Sequence, residues 1–336
     1  MRIAVYGAGA VGGQLAGRLM HAGIPVSMIA RGANLAAIRE HGLALLVGAE
    51  QWIGHPACSD DPRDLGVQDV VLVAVKSPAL PSVAAQIAPL LGAATQVVFA
   101  MNGVPWWFLD GLPVAAPEEL RSSLDPGDAL RRTIGVGRMV GCSVLSGSEL
   151  IAPGTVRSDT PLRNAIVLGK PDGSTPDVLS DFAALAERAG FRTTLSANIR
   201  GDMWPKLITH ACRPAICGLT SMTTRQLADT QELLPLVGRI LEELIALGTR
   251  LGLSFAFDLA AELAKRPEGD HLSSFVQDLE AGRAPELASG IGAMCRIARA
   301  AGVDTPMLDV VCALITARIA SRRATVTTAH ATHGAP

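Results

Sequence analysis

The first 32 residues constrain the fold of this chain more than any other stretch. Arg2–Tyr6 is a short apolar run of strand type. Gly7, Gly9 and Gly12 follow at G-x-G-x-x-G spacing, with Ala8, Ala10 and Val11 between them. Leu15, Leu19 and Met20 then recur at helical spacing, and Ile24–Ile29 reads as a second strand. Strand, glycine turn, helix and strand in that order predict a βαβ unit with a dinucleotide site. Gly7 allows the tight turn, Gly9 lets the backbone approach a pyrophosphate, and Gly12 permits close packing of helix on strand. The helix N-terminus offers free N–H groups and partial positive charge to the phosphates.

The end of the second strand refines the choice of dinucleotide. An NAD site usually carries Asp or Glu there, on the ribose 2′-hydroxyl. Here the residues are Ala30 and Arg31. A guanidinium at that point suits a 2′-phosphate, which indicates NADPH/NADP+. The glycines also fit a structural turn without ligand. An FAD site fits less well, because it too favours the acid that Arg31 replaces.

Composition excludes several classes of partner. A chain of 336 residues can bury a sizeable core and predicts two domains. The formal charge of −2 provides no basic face for nucleic acid, and a single Tyr argues against a base-stacking surface. No apolar run approaches a membrane span. The chain enters a strand at once, leaving no room for a signal peptide. Six scattered cysteines (Cys58, Cys142, Cys212, Cys217, Cys295, Cys312) lack metal spacing and suit a reducing cytoplasm. His330 and His333 form an H-x-x-H in a polar tail, where fraying explains the sequence better than a metal site.

Strand and helix patterns alternate through the first half. Val70–Val75 and Gln96–Met101 are near-continuous apolar runs, as expected of strands covered on both faces. A helix is predicted around Ala79–Leu91, and further strands at Thr133–Ser146 and Asn164–Gly169, with Thr193–Ala197 closing this half. Asp110–Asp128 is rich in breakers and reads as an excursion loop. From about Met203 to Arg322 helical periodicity dominates. The expected architecture is therefore α/β: an N-terminal Rossmann-type doubly wound sheet over 1–197, and an all-helical domain over 198–322. The tail at 323–336 lacks a core pattern and is expected to be disordered.

Open parallel sheets bind ligands beyond the C-terminal ends of their strands. Lys76 stands at one such point, and Asn102 with Gly103 at another. Lys76 could meet a cofactor or substrate oxygen, or be a solvated loop lysine. Asn102 could hydrogen-bond the cofactor ribose or the substrate, although Asn-Gly is also a common turn. The helical half opens with GDMWPKLITHACRPAI. Pro205 suits a first helical turn, and Lys206, His210 and Pro214 then share one face. A ketone reductase needs a proton donor at the carbonyl oxygen and stabilisation of the developing alkoxide. A lysine ammonium supplies both, while an ordinary surface lysine is the other reading of Lys206. Further on, Ser273 or Ser274 caps a helix, and Gln277 makes a capping box with Ser274. Gly282 ends that helix. Pro285 starts another, placing Glu286 in its first turn, where an acid complements the dipole.

Together these segments resemble the ketopantoate reductase (2-dehydropantoate 2-reductase) family. The resemblance runs from Met1 to about Ile315. It rests on GAGAVGG, Arg31, Val75-Lys76, Met101–Gly103, WPKL at Trp204–Leu207 and, most specifically, SSFVQDLEAGRAPE at Ser273–Glu286. It implies that Lys206 is the general acid and that Glu286 holds the reacting hydroxyl or orients Lys206. Ser274 would bind the substrate carboxylate, Asn102 would touch cofactor and substrate, and Lys76 would lie in the cofactor cleft. The implied reaction is NADPH-dependent reduction of a small-molecule 2-oxo acid, by default ketopantoate to (R)-pantoate in pantothenate biosynthesis.

Three positions depart from the family pattern. Where members commonly carry Asn, this chain has His210, Pro214 and, nearby, Thr224. Proline offers no side-chain donor or acceptor, and Pro214 is expected to kink its helix. A protonated His210 could anchor a carboxylate, or the ring could simply pack. Trp106 and Trp107 could wall a bulky substrate, cover the core or form a subunit contact. A bulkier 2-oxo acid therefore stands as the alternative substrate. A non-enzymatic NADPH sensor and a 3-hydroxyacid dehydrogenase are the other readings of this layout. The helical domain is compatible with a homodimer.

Overall fold

A computed structural model describes residues 1–158, 164–267, 270 and 272–332, with only the backbone described over 323–332. The chain folds as two units, Met1–Met101 with Asp125–Met203, and Asn102–Leu124 with Trp204–Pro336.

The first unit is built on a twelve-strand pattern: β1 (Ile3–Tyr6), β2 (Ser27–Ile29), β3 (Leu43–Val47), β4 (Glu50–Gly54), β5 (Ala57–Ser59), β6 (Gln68–Val73), β7 (Leu91–Phe99), β8 (Met139–Leu145), β9 (Ser148–Ala152), β10 (Thr155–Ser158), β11 (Ala165–Gly169) and β12 (Arg192–Leu195). Eight of them form one sheet in the order β12-β11-β8-β7-β6-β1-β2-β5. Every pairing in it is parallel except β8 with β11. Ile3, Val5, Val70 and Leu72 are buried, as covered parallel strands require. Helices α1 (Ala10–His21), α2 (Gly32–His41), α3 (Leu80–Gln86), α5 (Ala129–Thr133) and α6 (Asp177–Arg188) belong to this unit. The strand expected at Thr133–Ser146 is shorter than the pattern suggested, because Thr133 closes α5 and pairing starts at Met139.

A second sheet, β4-β3-β10-β9, was not anticipated. Helix α1 packs on it through glycines. A Cβ on Gly13 would stand 2.6 Å from Val156 Cγ2, and one on Gly17 2.9 Å from Leu45 Cβ. The buried Gln14 amide ties α1 to Ser146, Ser158 and Asn164.

The second unit is helical: α4 (Glu118–Leu124), most of α7 (Ile199–Thr220), α8 (Thr224–Asp229), α9 (Leu234–Arg250), α10 (Leu259–Ala264), α11 (Ser274–Glu280), α12 (Ile291–Ala301) and α13 (Pro306–Thr332). The expected division at 197/198 differs from this in two ways. The junction falls inside α7, and 102–124 joins the helical unit. Aromatic packing explains the second difference. Trp107 and Phe108 are fully buried, and the Phe108 ring stacks on Trp204 at 5.8 Å. Breaker residues marked this stretch as irregular but could not say which core its aromatics would enter.

Two further expectations are corrected. Pro205 does not open a helix, since α7 begins at Ile199, and α7 is one element through both Pro205 and Pro214. An interior proline costs about 3 kcal/mol or more. Burial of Trp204, Leu207, Ile208, Ala211, Cys212, Ala215 and Ile216 opposes that cost. The Arg213–Glu262 ion pair (3.3 Å) also ties α7 to α10 immediately before Pro214. Of the tail expected to be disordered, 323–332 continues α13. A helix already nucleated can propagate one residue at a time without an apolar face. Residues 333–336 lie outside the described residues, and so do the side chains of the H-x-x-H pair.

Candidate active site

The glycine turn is shaped by contacts that exclude side chains at two positions and leave the third open. Gly7 has φ +114°, and a Cβ there would stand 2.7 Å from the Ala74 carbonyl oxygen. A Cβ on Gly12 would fall 1.9 Å from the Gly7 oxygen. Around Gly9, by contrast, a Cβ would meet nothing within 4 Å. Gly9 is the N-cap of α1 and supplies no side-chain cap, so the first N–H groups of the helix keep their donors for a ligand. Tight closure beneath Gly7 and Gly12 with open space over Gly9 is the cradle a pyrophosphate requires. The residues present therefore fit the dinucleotide.

Neighbouring strand ends converge on this turn. The Gly7 N–H donates to Ile29 at the end of β2 (2.9 Å), and the Ala74 N–H, just past β6, donates to Tyr6 (2.9 Å). Lys76 follows two residues later, exposed, so glycine turn and Lys76 lie at one edge of the sheet. Arg31 is the N-cap of α2 and is exposed. Its Nη2 donates to Ser82 Oγ (2.8 Å) and Gln86 Oε1 (3.0 Å) of α3. The Tyr6 hydroxyl donates to the same Gln86 oxygen (3.2 Å). Nothing in the sequence pointed to Ser82 or Gln86, because neither belongs to a motif and only the β2–α3 juxtaposition brings them to Arg31.

The helical unit gathers the other candidates. Gly103 has φ +82°, and a Cβ there would stand 2.7 Å from Ser289 Oγ. The adjoining Val104 N–H donates to the Ser289 carbonyl (2.7 Å). The half-buried Asn102 is thus docked beside the turn that carries Glu286, whose carbonyl accepts from the Gly290 N–H (3.1 Å). Glu286 is not in a helical first turn, as expected from Pro285, because α12 starts only at Ile291. Dipole complementation therefore does not account for this carboxylate.

Ser274 is likewise released from a structural duty. Ser273 is the N-cap of α11 and accepts from the Val276 N–H, while Gln277 Nε2 donates to the Leu272 carbonyl (3.0 Å). The expected capping box at Ser274 does not form, and its side chain is exposed. A capping box does form at Thr223 and Gln226, next to Thr224.

Lys206 is half-buried on α7, with His210 one turn on. Desolvation, and then the Lys206 ammonium, push the His210 imidazole down to about 3. The side chain is nonetheless exposed, so solvent opposes the size of that shift and leaves its direction. The ring is neutral near neutral pH. That direction speaks against a protonated His210 as the carboxylate anchor, because a second cation one turn from Lys206 is disfavoured. Stability follows with a definite sign. The unfolded chain takes up the His210 proton below about pH 6.5 while the folded chain does not, so stability falls as pH drops through that range. His210→Asn should lose less stability than wild type between about pH 7 and about pH 5, read by thermal melting. Parallel losses would contradict the neutral ring.

Trp106 and Trp107 are 6% and 0% exposed. Of the roles open to them, covering the core is the one the structure adopts for Trp107, whose ring lies 6.1 Å from Phe108. Among the described residues, no group of three His, Cys, Asp or Glu could hold a metal ion, and no helix is long and apolar enough to cross a membrane.

Comparison with known proteins covers both units. The family profile described as "Ketopantoate reductase PanE/ApbA" matches residues 3–173, and "Ketopantoate reductase PanE/ApbA C terminal" matches 198–319. A 2-dehydropantoate 2-reductase of Mesorhizobium japonicum is 34% identical over 94% of this chain and 97% of the relative. The crystal structure of a putative ketopantoate reductase from Ralstonia solanacearum MolK2 superposes with a TM-score of 0.84. It is 34% identical and covers 96% of this chain and 98% of that one. The ternary structure of D-mandelate dehydrogenase with NADH and anilino(oxo)acetate shares the fold, with a TM-score of 0.81 at 20% identity over 96% and 99% of the two chains.

Proposed function

This chain belongs to the ketopantoate reductase family, and we propose that it reduces 2-dehydropantoate to (R)-pantoate with NADPH, a step in making pantothenate. Family membership makes it an oxidoreductase of the CH–OH class that uses a nicotinamide dinucleotide. The observation that carries the finer reading is where Ser274 and Glu286 stand relative to the helix termini of the helical unit. Ser274 is not the cap of α11 and Glu286 lies outside the first turn of α12, so capping and dipole complementation do not explain them, and the resemblance reads both, with Lys206, as groups of the reaction site.

In this reading the first unit binds the cofactor through Gly7–Gly12, Arg31 and Lys76. When bound, reduced nicotinamide supplies the hydride that becomes the hydrogen on C2. Lys206 gives its proton to the carbonyl oxygen as the C=O becomes CH–OH, then regains one from solvent. Until that transfer its charge stabilises oxygen as negative charge develops there. Glu286 orients the ammonium and accepts from the new hydroxyl. Ser274 donates to the substrate carboxylate, and Asn102 holds substrate and cofactor ribose.

A second reading, a bulkier 2-oxo acid, draws on His210, Pro214 and Thr224. A neutral imidazole can donate one hydrogen bond but supplies no charge, and Pro214 supplies nothing polar. One experiment separates the two: NADPH consumption measured across a panel of 2-oxo acids, from 2-dehydropantoate to branched and aryl members. The proposal expects kcat/KM for 2-dehydropantoate to exceed that for the others. A maximum at an aryl or long-chain acid would favour the second reading. No turnover of any member would leave only the sensor.

A further inference from the structure

The ring of donors around Arg31 extends beyond the arginine. Arg31 Nη2 spends its two hydrogens on Ser82 Oγ and Gln86 Oε1. The guanidinium also hydrogen-bonds the Tyr6 hydroxyl, and with five N–H groups it keeps further donors for a ligand. Arginine cannot accept a hydrogen bond, so Gln86 must turn its oxygen towards it. The Tyr6 hydroxyl reinforces that orientation by donating to the same oxygen. Burial pushes the Tyr6 phenol up, with the Arg31 hydrogen bond and then its charge opposing, so the hydroxyl stays protonated and can donate.

Two consequences follow for α3. With Oε1 fixed on Arg31, the Gln86 amide nitrogen presents both its hydrogens elsewhere. With Ser82 Oγ accepting from Arg31, the serine hydrogen is likewise left to donate. Ser82 and Gln86 stand one turn apart on α3 and share one face. Guanidinium, hydroxyl and amide therefore form a cluster whose unspent groups are all donors. Such a set matches a group made only of acceptors and carrying two negative charges. It matches a ribose 2′-hydroxyl poorly, since a hydroxyl must also donate.

We propose that Ser82 and Gln86 complete the subsite for the 2′-phosphate of NADPH, as direct hydrogen-bond donors that also hold Arg31 in place. The assignment rests on the NADPH reading above and deepens it. Selection of NADPH over NADH is then a property of three side chains from two elements, with Tyr6 as a positioning residue behind them.

Binding constants for NADPH and NADH, measured by calorimetry on the full chain, test this without reliance on turnover. Wild type should bind NADPH more tightly than NADH, and Arg31→Ala should abolish most of the difference. Ser82→Ala should weaken NADPH about tenfold to a hundredfold, as loss of a hydrogen bond to a charged group does, with NADH unchanged. Ser82→Thr should recover most of that loss. Gln86→Glu should weaken NADPH at least as much, because the carboxylate neutralises Arg31 and repels phosphate, while NADH binds no less well. Adenosine 2′-phosphate should lose affinity in the same variants, and adenosine should not. Equal effects on NADPH and NADH in Ser82→Ala and Gln86→Glu, in folded protein, would overturn the assignment while leaving the Arg31 reading intact. A wild type that does not discriminate would overturn both.

Discussion

Lys206→Ala should lower kcat by about 10²–10⁴, the contribution typical of a positioned proton donor, while NADPH binds as before. The separation follows from where the residue stands. Lys206 is on α7 in the helical unit, whereas the glycine cradle, Arg31 and Lys76 belong to the sheet unit. Removing the ammonium takes away both the proton and the charge that offsets the developing alkoxide. Lys206→Arg divides these two contributions. A guanidinium retains the charge but does not release a proton near neutral pH, so it should recover only part of the loss. Removing the cation should also relieve His210, whose imidazole Lys206 helps to push down. Its titration in Lys206→Ala, followed by NMR, should therefore move upward. A loss of less than about tenfold in kcat would remove Lys206 from the chemistry.

The second large effect concerns the glycine turn, where two substitutions of equal size should fail in different ways. Gly12→Ala places a methyl 1.9 Å from the Gly7 oxygen and 3.2 Å from the Ala74 Cβ. Backbone must move, and α1 must lift from β1. Overpacking of this kind costs about 1–3 kcal/mol, occasionally more, so the melting temperature should fall and NADPH binding with it. Gly9→Ala meets nothing within 4 Å. Its melting temperature should stay near that of wild type. Yet its methyl occupies the space over the α1 N-terminus that a pyrophosphate needs, and NADPH affinity should drop by about 10² or more, as when several charge-assisted hydrogen bonds are lost together. Normal NADPH affinity in a stable Gly9→Ala protein would mean that the phosphates do not lie there.

Much of this fold was legible because its signals are local. The turn at Gly7–Gly12 and the runs at Val70–Val75 and Gln96–Met101 carry their own periodicity; β1 and β6 form where those patterns stand, while β7 starts earlier, at Leu91, because the expected helix already ends at Gln86. The sheet β4-β3-β10-β9 was not legible. Its strands are four or five residues long, partly exposed, and pair 43–47 with 155–158 across more than a hundred positions. Nothing short-range announces such a pairing. The allegiance of 102–124 was hidden for a related reason, since it depends on Phe108 meeting Trp204.

At the candidate site the residue types were readable and their competing duties were not. Ser273 and Ser274 are equivalent as helix caps in sequence, and only the observed bond to Val276 assigns that work to Ser273. Glu286 looked like a dipole acid because Pro285 so often opens a helix, but the chain makes a turn there first. His210 carries no sign of its charge state in sequence. That state depends on how much protein surrounds the ring and on Lys206 one turn away.

The central claim is hydride delivery to C2 of 2-dehydropantoate. It is tested most directly with NADPH deuterated at C4 of the nicotinamide on both faces, the product being followed by NMR. The account predicts pantoate carrying deuterium at C2 and a hydroxyl hydrogen drawn from solvent, with formation nearly abolished in Lys206→Ala. Pantoate without deuterium at C2, or label appearing only in the product of a different 2-oxo acid, would contradict it.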